Sequence, residues 1–328
     1  MMLLYYRERD SLMLLRYGLL STSSIAPRLV SAVRAGDTGQ ILAVSSRTQE
    51  KADAFARQYA IPRAYGDHAA LLNDKDVDIV YISNVNAAHY VWAKAALEHG
   101  KHVLCEKPCT TTRAQTRELY ALAKEKGLFF MEAEKMLFLP AIEKAKALID
   151  AGALGQIYMV QMNHSFPATY NGWMFDRDAG GGPLLSSGIY AIHLILYLLG
   201  EIRTISGQMS TLETGVEWQY ILTGQTESGA LFTAANSTRA VLDNTARIFG
   251  TKGYLELPDY WKARQVIVHT QSGTETADFP CEYELVYETR HVKDCLEKGI
   301  VQSDVVTPEL SAAGIGWIEK VKADRTNM

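Results

Sequence analysis

The chain has 328 residues, of which 48% are hydrophobic and 21% are charged. This composition is typical of an ordinary folded globular protein and argues against disorder, and the length allows two domains. The formal net charge is -4, so the sequence gives no electrostatic reason to expect a nucleic-acid partner.

Residues 1–12 are predicted to be an accessory tail. Charged residues at positions 7–10 interrupt the apolar clusters, so neither a signal peptide nor a membrane span fits, and we expect no membrane partner. The first clear strand begins near Leu14, and Met13 would be a natural start.

The four cysteines show no spacing that is typical of a metal site. So few thiols in a long chain favour reduced cysteines in a cytoplasmic setting over a disulfide framework. We therefore expect no metal.

From Leu14 onward, short β-rich segments alternate with amphipathic helices. Strands are predicted at 14–20, 40–45, 77–83, 101–105 and 128–132, and helices in the segment ending at Arg34 and at 49–59, 87–99 and 112–126. This alternation predicts βαβ crossovers, and hence an α/β, doubly wound parallel sheet of the Rossmann type over residues 13–135.

After Pro140 the pattern changes. A helix at 142–151 and a strand at 156–164 precede a three-glycine turn at 180–182 and an apolar helix at 184–199; alternating strands and turns fill 202–276, and helices follow at 282–298 and from 308 to about 322. This order predicts an α+β domain over residues 136–328 with an open, mostly antiparallel sheet and helices on one face.

The segment Gly100–Pro108 places Lys107 at the end of a strand, between Glu106 and Pro108. Proline stops the strand and fixes the turn, and the carboxyl edge of an open α/β sheet is where ligands bind. We therefore expect the Lys107 amine to face a hydroxyl or carbonyl ligand. The alternative is a charged, solvated strand end.

The first strand-to-helix turn is where a dinucleotide pyrophosphate would bind. Of the Gly-x-Gly-x-x-Gly/Ala pattern, only Ala26 matches. Hydroxyl groups can still donate to phosphate or cap the helix, and a serine-rich cap on a structural helix is an equally good interpretation. The candidate cofactor-binding residues here are Ser21, Thr22, Ser23, Ser24 and Ile25.

The second predicted strand is followed by Ser46 and Arg47. An acidic residue here would bind the ribose 2′-hydroxyl of NAD, whereas a hydroxyl and a guanidinium suit a 2′-phosphate. The sequence thus favours NADP over NAD, and the alternative is a solvated arginine.

Three further candidates follow the strand at 77–83. Asn84 and Asn86 can cap the next helix or contact a bound ribose. His89, in the first turn of that helix, fits a structural role as well as a functional one.

On the helix at 184–199, Ser186, Tyr190 and His193 have spacing i, i+4 and i+7 and share one face. Polar groups on an apolar helix need a partner or a cleft. Beside a lysine ammonium, Tyr190 should have a lowered pKa, which suits proton exchange with an alcohol. The alternative is that Tyr190 and His193 are core residues with satisfied hydrogen bonds.

The Ser46-Arg47 pair, Glu106-Lys107-Pro108 and the three-glycine turn, in this order along the chain, resemble the Gfo/Idh/MocA family of oxidoreductases. The similarity runs from about Leu14 to Lys322 and is nearest the dimeric dihydrodiol dehydrogenase branch, in which a tyrosine replaces a histidine.

The resemblance implies hydride transfer between NADP or NAD and a hydroxyl-bearing carbon of a sugar, cyclitol or diol. It implies that Lys107 hydrogen-bonds the reacting oxygen, that Glu106 contacts the nicotinamide ribose, and that Tyr190 carries the proton, with His193 as a lesser candidate. Ser186 would contact substrate. It also implies a homo-oligomer formed through the C-terminal sheet.

Several positions depart from the family pattern: Ser21 and Ser23 replace glycines, Ser186 an aspartate, Val85 a proline, Lys135 a tryptophan and Leu137 an arginine. These changes motivate a second hypothesis, in which the chain is a catalytically weakened or inactive scaffold or sensor.

Overall fold

The computed structural model describes residues 14–169 and 172–326. The predicted accessory tail at 1–12 lies outside the described residues.

Strands and helices alternate through the first half of the chain. In chain order they are β1 (Arg16–Leu20), α1 (Ala26–Gly36), β2 (Gln40–Ser45), α2 (Gln49–Tyr59), β3 (Arg63–Tyr65), α3 (His68–Leu72), β4 (Ile79–Ile82), α4 (Asn86–Glu98), β5 (His102–Glu106), α5 (Arg113–Lys126) and β6 (Phe130–Ala133). The strands pair in parallel in the order β3-β2-β1-β4-β5-β6. This confirms the predicted Rossmann sheet.

Local sequence explains why these elements form where they do. Strand β4 is apolar throughout because parallel sheets are covered on both faces. Helix α2 begins after Thr48, whose side chain accepts a hydrogen bond from the Lys51 amide, and it buries Ala52 and Phe55 on one face. Strand β3 and helix α3 were not predicted from the sequence, since they are too short to show a periodic pattern.

The second half is built around a larger sheet. Its regular elements are α6 (Pro140–Asp150), β7 (Ile157–Ser165), α7 (Ile189–Leu199), β8 (Ile202–Thr211), β9 (Glu217–Thr226), β10 (Leu231–Ser237), β11 (Thr245–Gly250), β12 (Gly253–Pro258), β13 (Gln265–Thr270), β14 (Gly273–Asp278), α8 (Val286–Glu297) and α9 (Pro308–Thr326). The strand order is β14-β13-β12-β11-β7-β10-β9-β8, with β7 and β10 parallel and the other pairs antiparallel. The predicted mostly antiparallel sheet is confirmed.

Helix α7 covers one face of this sheet. Val160 and Met162 of β7 line a small apolar pocket with Leu194 and Leu198 of α7. Side chains alternate between the two faces of a strand. The residues adjacent to Val160 and Met162 therefore point to the face of the sheet that α7 does not cover. Although α7 is strongly apolar, it has only 11 residues, and none of the helices within 14–169 and 172–326 could cross a membrane.

The last two helices return to the first half. Helix α8 packs on α1, and α9 packs on both α5 and α7. The Tyr120 and Ser311 hydroxyls, on α5 and α9, lie 3.1 Å apart, and Glu319 of α9 accepts a hydrogen bond from the Arg113 amide. The two halves are therefore joined by packed helices as well as by the chain crossing after β6.

Candidate active site

The structure brings Lys107 and Tyr190 together. Strand β5 delivers Lys107 to the carboxyl edge of the Rossmann sheet, and the peptide bond between Lys107 and Pro108 is cis. The Lys107 ammonium donates to the Ser186 carbonyl and lies 4.1 Å from the centroid of the Tyr190 ring. An amine from the first half and a phenol from the second thus share one location between the halves.

The start of the Tyr190 helix is held by a buried carboxylate. Residues Leu184–Gly188 form a π-helical turn, and α7 follows directly. Glu217 of β9 accepts a hydrogen bond of 2.8 Å from the Leu184 amide, and it lies so close to Gly182 that a Cβ there would collide with the carboxylate. Glycine at 182, with φ of +115°, is therefore needed for both space and conformation. π-Helical turns are frequent at functional sites.

The predicted lowering of the Tyr190 pKa is wrong. Burial raises the pKa of Tyr190 well above its usual value, and the nearby carboxylates Glu134 and Glu106 raise it further. Burial and the carboxylates together outweigh the lowering of the Tyr190 pKa by neighbouring positive charge. The phenol is thus protonated at neutral pH and is prepared to donate its hydrogen bond or proton.

Burial acts on Lys107 in the opposite direction. It lowers the pKa of the Lys107 amine, while Glu106 and Glu134 oppose that shift. Glu106 itself accepts a hydrogen bond from the Tyr81 hydroxyl, and burial raises the pKa of its carboxyl group. Burial therefore makes the charged forms of both the Lys107 amine and the Glu106 carboxyl group less favourable.

A second amine, Lys135, lies at the same site. Its Nζ is 5.9 Å from the centroid of the Tyr190 ring, donates to the Trp261 carbonyl at 2.8 Å, and pairs with Glu284 at 3.0 Å. Burial lowers the pKa of Lys135 to about 7, helped by the positive charge of Arg28. The sequence had shown Lys135 only as a departure from the family pattern.

His193 is fully buried between two carboxylates. Its Nδ1 lies 2.8 Å from Glu134 and its Nε2 3.8 Å from Glu132, which in turn accepts a hydrogen bond of 2.9 Å from the Cys109 amide. Burial lowers the pKa of His193, but the two carboxylates outweigh it and the net shift is upward. His193 thus links α7 to the loop that carries Lys107.

The turn between β1 and α1 keeps a glycine-like backbone although it contains serines. Ser21 has φ of +109°, in the region that favours glycine, and its amide donates to the Ser45 carbonyl. The Ser23 hydroxyl donates to Ser83 at 2.7 Å, and Thr22 lies 3.3 Å from the Ser46 hydroxyl. The turn is therefore tied to the ends of β2 and β4.

The residues of this turn fit a dinucleotide pyrophosphate. Ile25 is the N-cap of α1 and makes no side-chain hydrogen bond to the helix, and Ser24 beside it is exposed. The amino-terminal end of α1 thus keeps the positive dipole end that attracts phosphate. Arg47, just beyond β2, is exposed as well.

The three candidates after β4 have different surroundings. The Asn86 side chain donates to the Gly180 carbonyl at 2.9 Å and so joins the two halves. His89 is buried, with its ring nitrogens 2.8 Å from the Pro108 carbonyl and 3.0 Å from the Asn84 carbonyl. Asn84 Oδ1 is buried and has no hydrogen-bond partner among the described residues, which leaves it available to a ligand.

His164 and Trp261, which lie beside each other, were not predicted from the sequence as candidates. His164 lies near the end of β7 and is buried on the same side as Val160 and Met162, and its ring is 3.9 Å from the Trp261 ring. The available signal was the alternation along β7, which places a polar residue at the end of a buried row. No group of three or more His, Cys, Asp or Glu within the described ranges could hold a metal ion.

A doubly wound sheet with an amine and a phenol above its carboxyl edge defines a dinucleotide-fold oxidoreductase. The family described as "Oxidoreductase family, NAD-binding Rossmann fold" matches residues 15–134, and the GFO/IDH/MocA C-terminal domain matches residues 142–256. The chain belongs to the Gfo/Idh/MocA family of oxidoreductases, as the sequence predicted.

Individual relatives agree with this assignment. A trans-1,2-dihydrobenzene-1,2-diol dehydrogenase from Bos taurus is 33% identical over 307 residues, covering 90% of this chain and 92% of the relative. A 3-ketoreductase from Actinomadura kijaniata, solved with NADP and TDP-benzene, superimposes with a TM-score of 0.87 at 25% identity over 94% and 97% of the two chains.

An aldose-aldose oxidoreductase from Caulobacter crescentus, complexed with glycerol, gives a TM-score of 0.87 at 25% identity over 96% and 98% of the chains. The oxidoreductase prediction is confirmed by family membership. The comparisons give no support to the inactive scaffold or sensor.

Replacing Ser21 by glycine should stabilise the protein, because a non-glycine residue at this φ is strained by about 1 kcal/mol. Urea unfolding should show that the free energy of unfolding rises by about this amount. NADPH should bind more tightly because the Cβ is removed from the turn. Ser24→Gly is the matched control. Because Ser24 has no positive φ, glycine at this position should lower the free energy of unfolding by about 0.5 kcal/mol. Equal effects of the two substitutions would contradict the strain at Ser21.

Proposed function

We propose that this protein is an NADP-preferring oxidoreductase that interconverts a hydroxyl-bearing carbon of a sugar, cyclitol or diol with its carbonyl form. The observation that carries the proposal is the placement of the Lys107 ammonium over the Tyr190 ring, between the two halves. The curated relative from Bos taurus is named for a cyclic diol and the Caulobacter crescentus structure for aldoses, which supports this substrate class.

Each residue has a role that follows from its chemistry. The bound nicotinamide would supply or accept the hydride. Lys107 would donate a hydrogen bond to the reacting oxygen and stabilise the charge that develops on it. Tyr190, protonated at neutral pH, would donate the proton in the reductive direction and receive it in the oxidative one. Glu106 would contact the nicotinamide ribose, and His193 would position Tyr190 through α7.

The cofactor would be held by the turn after β1 and by residues at the ends of β2 and β4. Ser21, Thr22, Ser23, Ser24 and Ile25 would surround the pyrophosphate, with Asn84 beside the ribose. Asn86 and His89 would hold their loops in place through the carbonyls they contact. Preference for NADP is supported by the exposed Arg47 beside Ser46, where an acidic residue would suit NAD.

Lys107→Ala should lower kcat by at least about 100-fold, since a group that stabilises charge on the reacting oxygen is removed. NADPH affinity, followed by intrinsic fluorescence, should change by less than about threefold. Lys94→Ala removes an exposed lysine of α4 that pairs with Glu118 of α5 and should leave kcat unchanged. Retained turnover in Lys107→Ala would remove this residue from the mechanism.

Arg47→Asp should weaken NADPH binding by at least about tenfold and leave NADH binding nearly unchanged, because a carboxylate repels the 2′-phosphate. Fluorescence titrations with both cofactors measure this difference. Arg57→Asp, at an exposed position of α2, makes the same change of charge elsewhere and should affect neither cofactor. An equal loss for NADPH and NADH would refute the NADP preference.

We also propose that the protein forms a homo-oligomer through the uncovered face of the larger sheet. Leu231, Met159, Phe249, Tyr254 and His269 are cross-strand neighbours in one row over five strands. The row is mostly apolar and partly exposed, with Leu231 52% and Met159 41% accessible. A contiguous apolar surface of this kind marks an interaction site, and a closed dimer would bury it.

Leu231→Arg should convert the oligomer to a monomer, since burying an unpaired charge in the interface is costly. Light scattering coupled to gel filtration would show the fall in mass. Val241→Arg is the control, because Val241 is 96% exposed but lies in a loop outside the row. A monomeric wild type, or an oligomer that tolerates Leu231→Arg, would disprove the interface.

A cytoplasmic location is proposed as well. It is supported by the free cysteines Cys105, Cys109, Cys281 and Cys295, none of which is in a disulfide within the described part of the chain. Fractionation of cells that produce the full-length chain tests it, and recovery outside the cytoplasm would overturn it.

A further inference from the structure

Tyr190 is buried, although the reaction proposed for it exchanges a proton with solvent in every turnover. Interconversion of an alcohol and a carbonyl moves one hydride and one proton, and the proton ends in water or comes from it. Only 8% of Tyr190 is exposed. A buried phenol that gives or receives this proton needs a group that carries it to the surface.

Most groups around Tyr190 cannot carry the proton outward. The Lys107 ammonium donates to the Ser186 carbonyl, which accepts a hydrogen bond but is not a group that transfers protons. His193 and Glu134 are paired with each other at 2.8 Å, and neither side chain has any exposed surface. These contacts lead into the interior.

Glu106 leads inward as well. It accepts a hydrogen bond from Tyr81, which has no exposed surface, and the next carboxyl group beyond it, Glu288 of α8, is also fully buried. The partly exposed side of Glu106 is where the proposed function places the nicotinamide ribose. A bound cofactor would therefore close that direction.

Lys135 is the neighbour of Tyr190 that leads toward the surface. Its Nζ lies 5.9 Å from the centroid of the Tyr190 ring, donates to the Trp261 carbonyl at 2.8 Å and pairs with Glu284 Oε1 at 3.0 Å. The same carboxylate oxygen contacts Arg28 of α1. The Glu284 side chain is 10% exposed and that of Arg28 is 49% exposed. The carboxylate of Glu284 thus joins a buried amine to the surface.

The contacts of Lys135 suit an amine that gains and loses a proton. A neutral lysine amine has two hydrogens and one lone pair, and the Trp261 carbonyl and Glu284 are acceptors for the two hydrogens. Burial lowers the pKa of Lys135 to about 7, and the positive charge of Arg28 contributes. Besides Arg28 and Glu284, the charged and titratable groups that face Lys135 from the surrounding elements are Glu106, Lys107, Glu134, Tyr190 and Glu288.

We propose that Lys135 carries the proton between Tyr190 and solvent, with Glu284 as the next acceptor. In the oxidative direction the hydride leaves for the oxidised nicotinamide, and the hydroxyl proton of the substrate forms a new O–H bond on Tyr190. The former O–H bond of Tyr190 breaks as an N–H bond forms on the neutral Lys135 amine. This proton then passes to the Glu284 carboxylate and on to water. In the reductive direction each transfer is reversed.

The inference rests on the proposed oxidoreductase function and adds the fate of its proton. The first test measures oxidation of trans-1,2-cyclohexanediol by the full-length chain with NADP. Lys135→Ala should lower kcat by at least about tenfold, because a proton-transfer group is lost. Methylamine should restore part of this kcat, since a small amine can occupy the volume that alanine leaves. Lys135→Met fills that volume without an amine, so methylamine should not restore its activity.

Lys262→Met is the control for a change of charge nearby. Lys262 follows Trp261, and its side chain is 45% exposed, so kcat should stay within about twofold of wild type. NADPH affinity, followed by intrinsic fluorescence, should change by less than about threefold in each variant. Thermal unfolding checks that the variants are folded.

The pH dependence gives a readout that a purely structural lysine would not change. Wild-type kcat for oxidation should rise with pH through about 7, since the neutral Lys135 amine accepts the proton. The kcat for reduction should fall over the same range, since the ammonium is the donor. Lys135→Met should lose both inflections. Glu284→Gln, which cannot accept a proton, should lower kcat in both directions while leaving NADPH affinity unchanged.

A second measurement does not depend on turnover. NMR of the protein labelled with ¹³C at lysine Cε follows the protonation of Lys135, whose signal is identified by its loss in Lys135→Met. An amine that stays charged above about pH 9, or an unchanged kcat in Lys135→Met, would overturn the inference and leave the oxidoreductase function standing. An amine that titrates near pH 7 in a protein that oxidises no alcohol supports the inference and counts against the proposed reaction instead.

Discussion

The structure depends on providing hydrogen-bond acceptors and negative charge for one buried ammonium, that of Lys107, where the two halves meet. An amine taken out of water needs hydrogen-bond acceptors and negative charge nearby. The Ser186 carbonyl supplies the first, and Glu106 and Glu134 supply the second. The face of the Tyr190 ring adds a cation–π contact. Since the acceptors come from both halves, the arrangement that accommodates the charge also assembles the candidate site.

The same low-polarity surroundings set the protonation states of the site. Burial pushes the amines of Lys107 and Lys135 toward neutrality and keeps the Tyr190 phenol protonated. The carboxylates around His193 have the opposite effect on that ring. A protonated phenol and two amines with lowered pKa values thus lie close together, which suits a reaction in which an alkoxide forms and is consumed.

The sequence predicted well what depends on local pattern and poorly what depends on tertiary burial. Helix α2 was found because its apolar residues recur with helical period after a capping threonine. The position of Lys107 at the end of β5 was predicted because a proline follows it. The direction of the Tyr190 pKa was missed, since a lysine in the sequence does not reveal how deeply a phenol is buried. His164 was missed because a single histidine in a strand looks the same whether it packs in a core or borders a site.

The return of the last two helices to the first half has a consequence for biosynthesis. Gly36 at the end of α1 lies against Val286 of α8, and the Tyr120 hydroxyl lies beside Ser311 of α9. Protein chains leave the ribosome from their amino terminus, at several residues per second. Apolar surfaces on α1 and α5 therefore stay uncovered until α8 (Val286–Glu297) and α9 (Pro308–Thr326) have been synthesised. A chaperone that holds the nascent chain during that interval would protect it from aggregation, and premature termination near residue 285 would leave those surfaces permanently exposed.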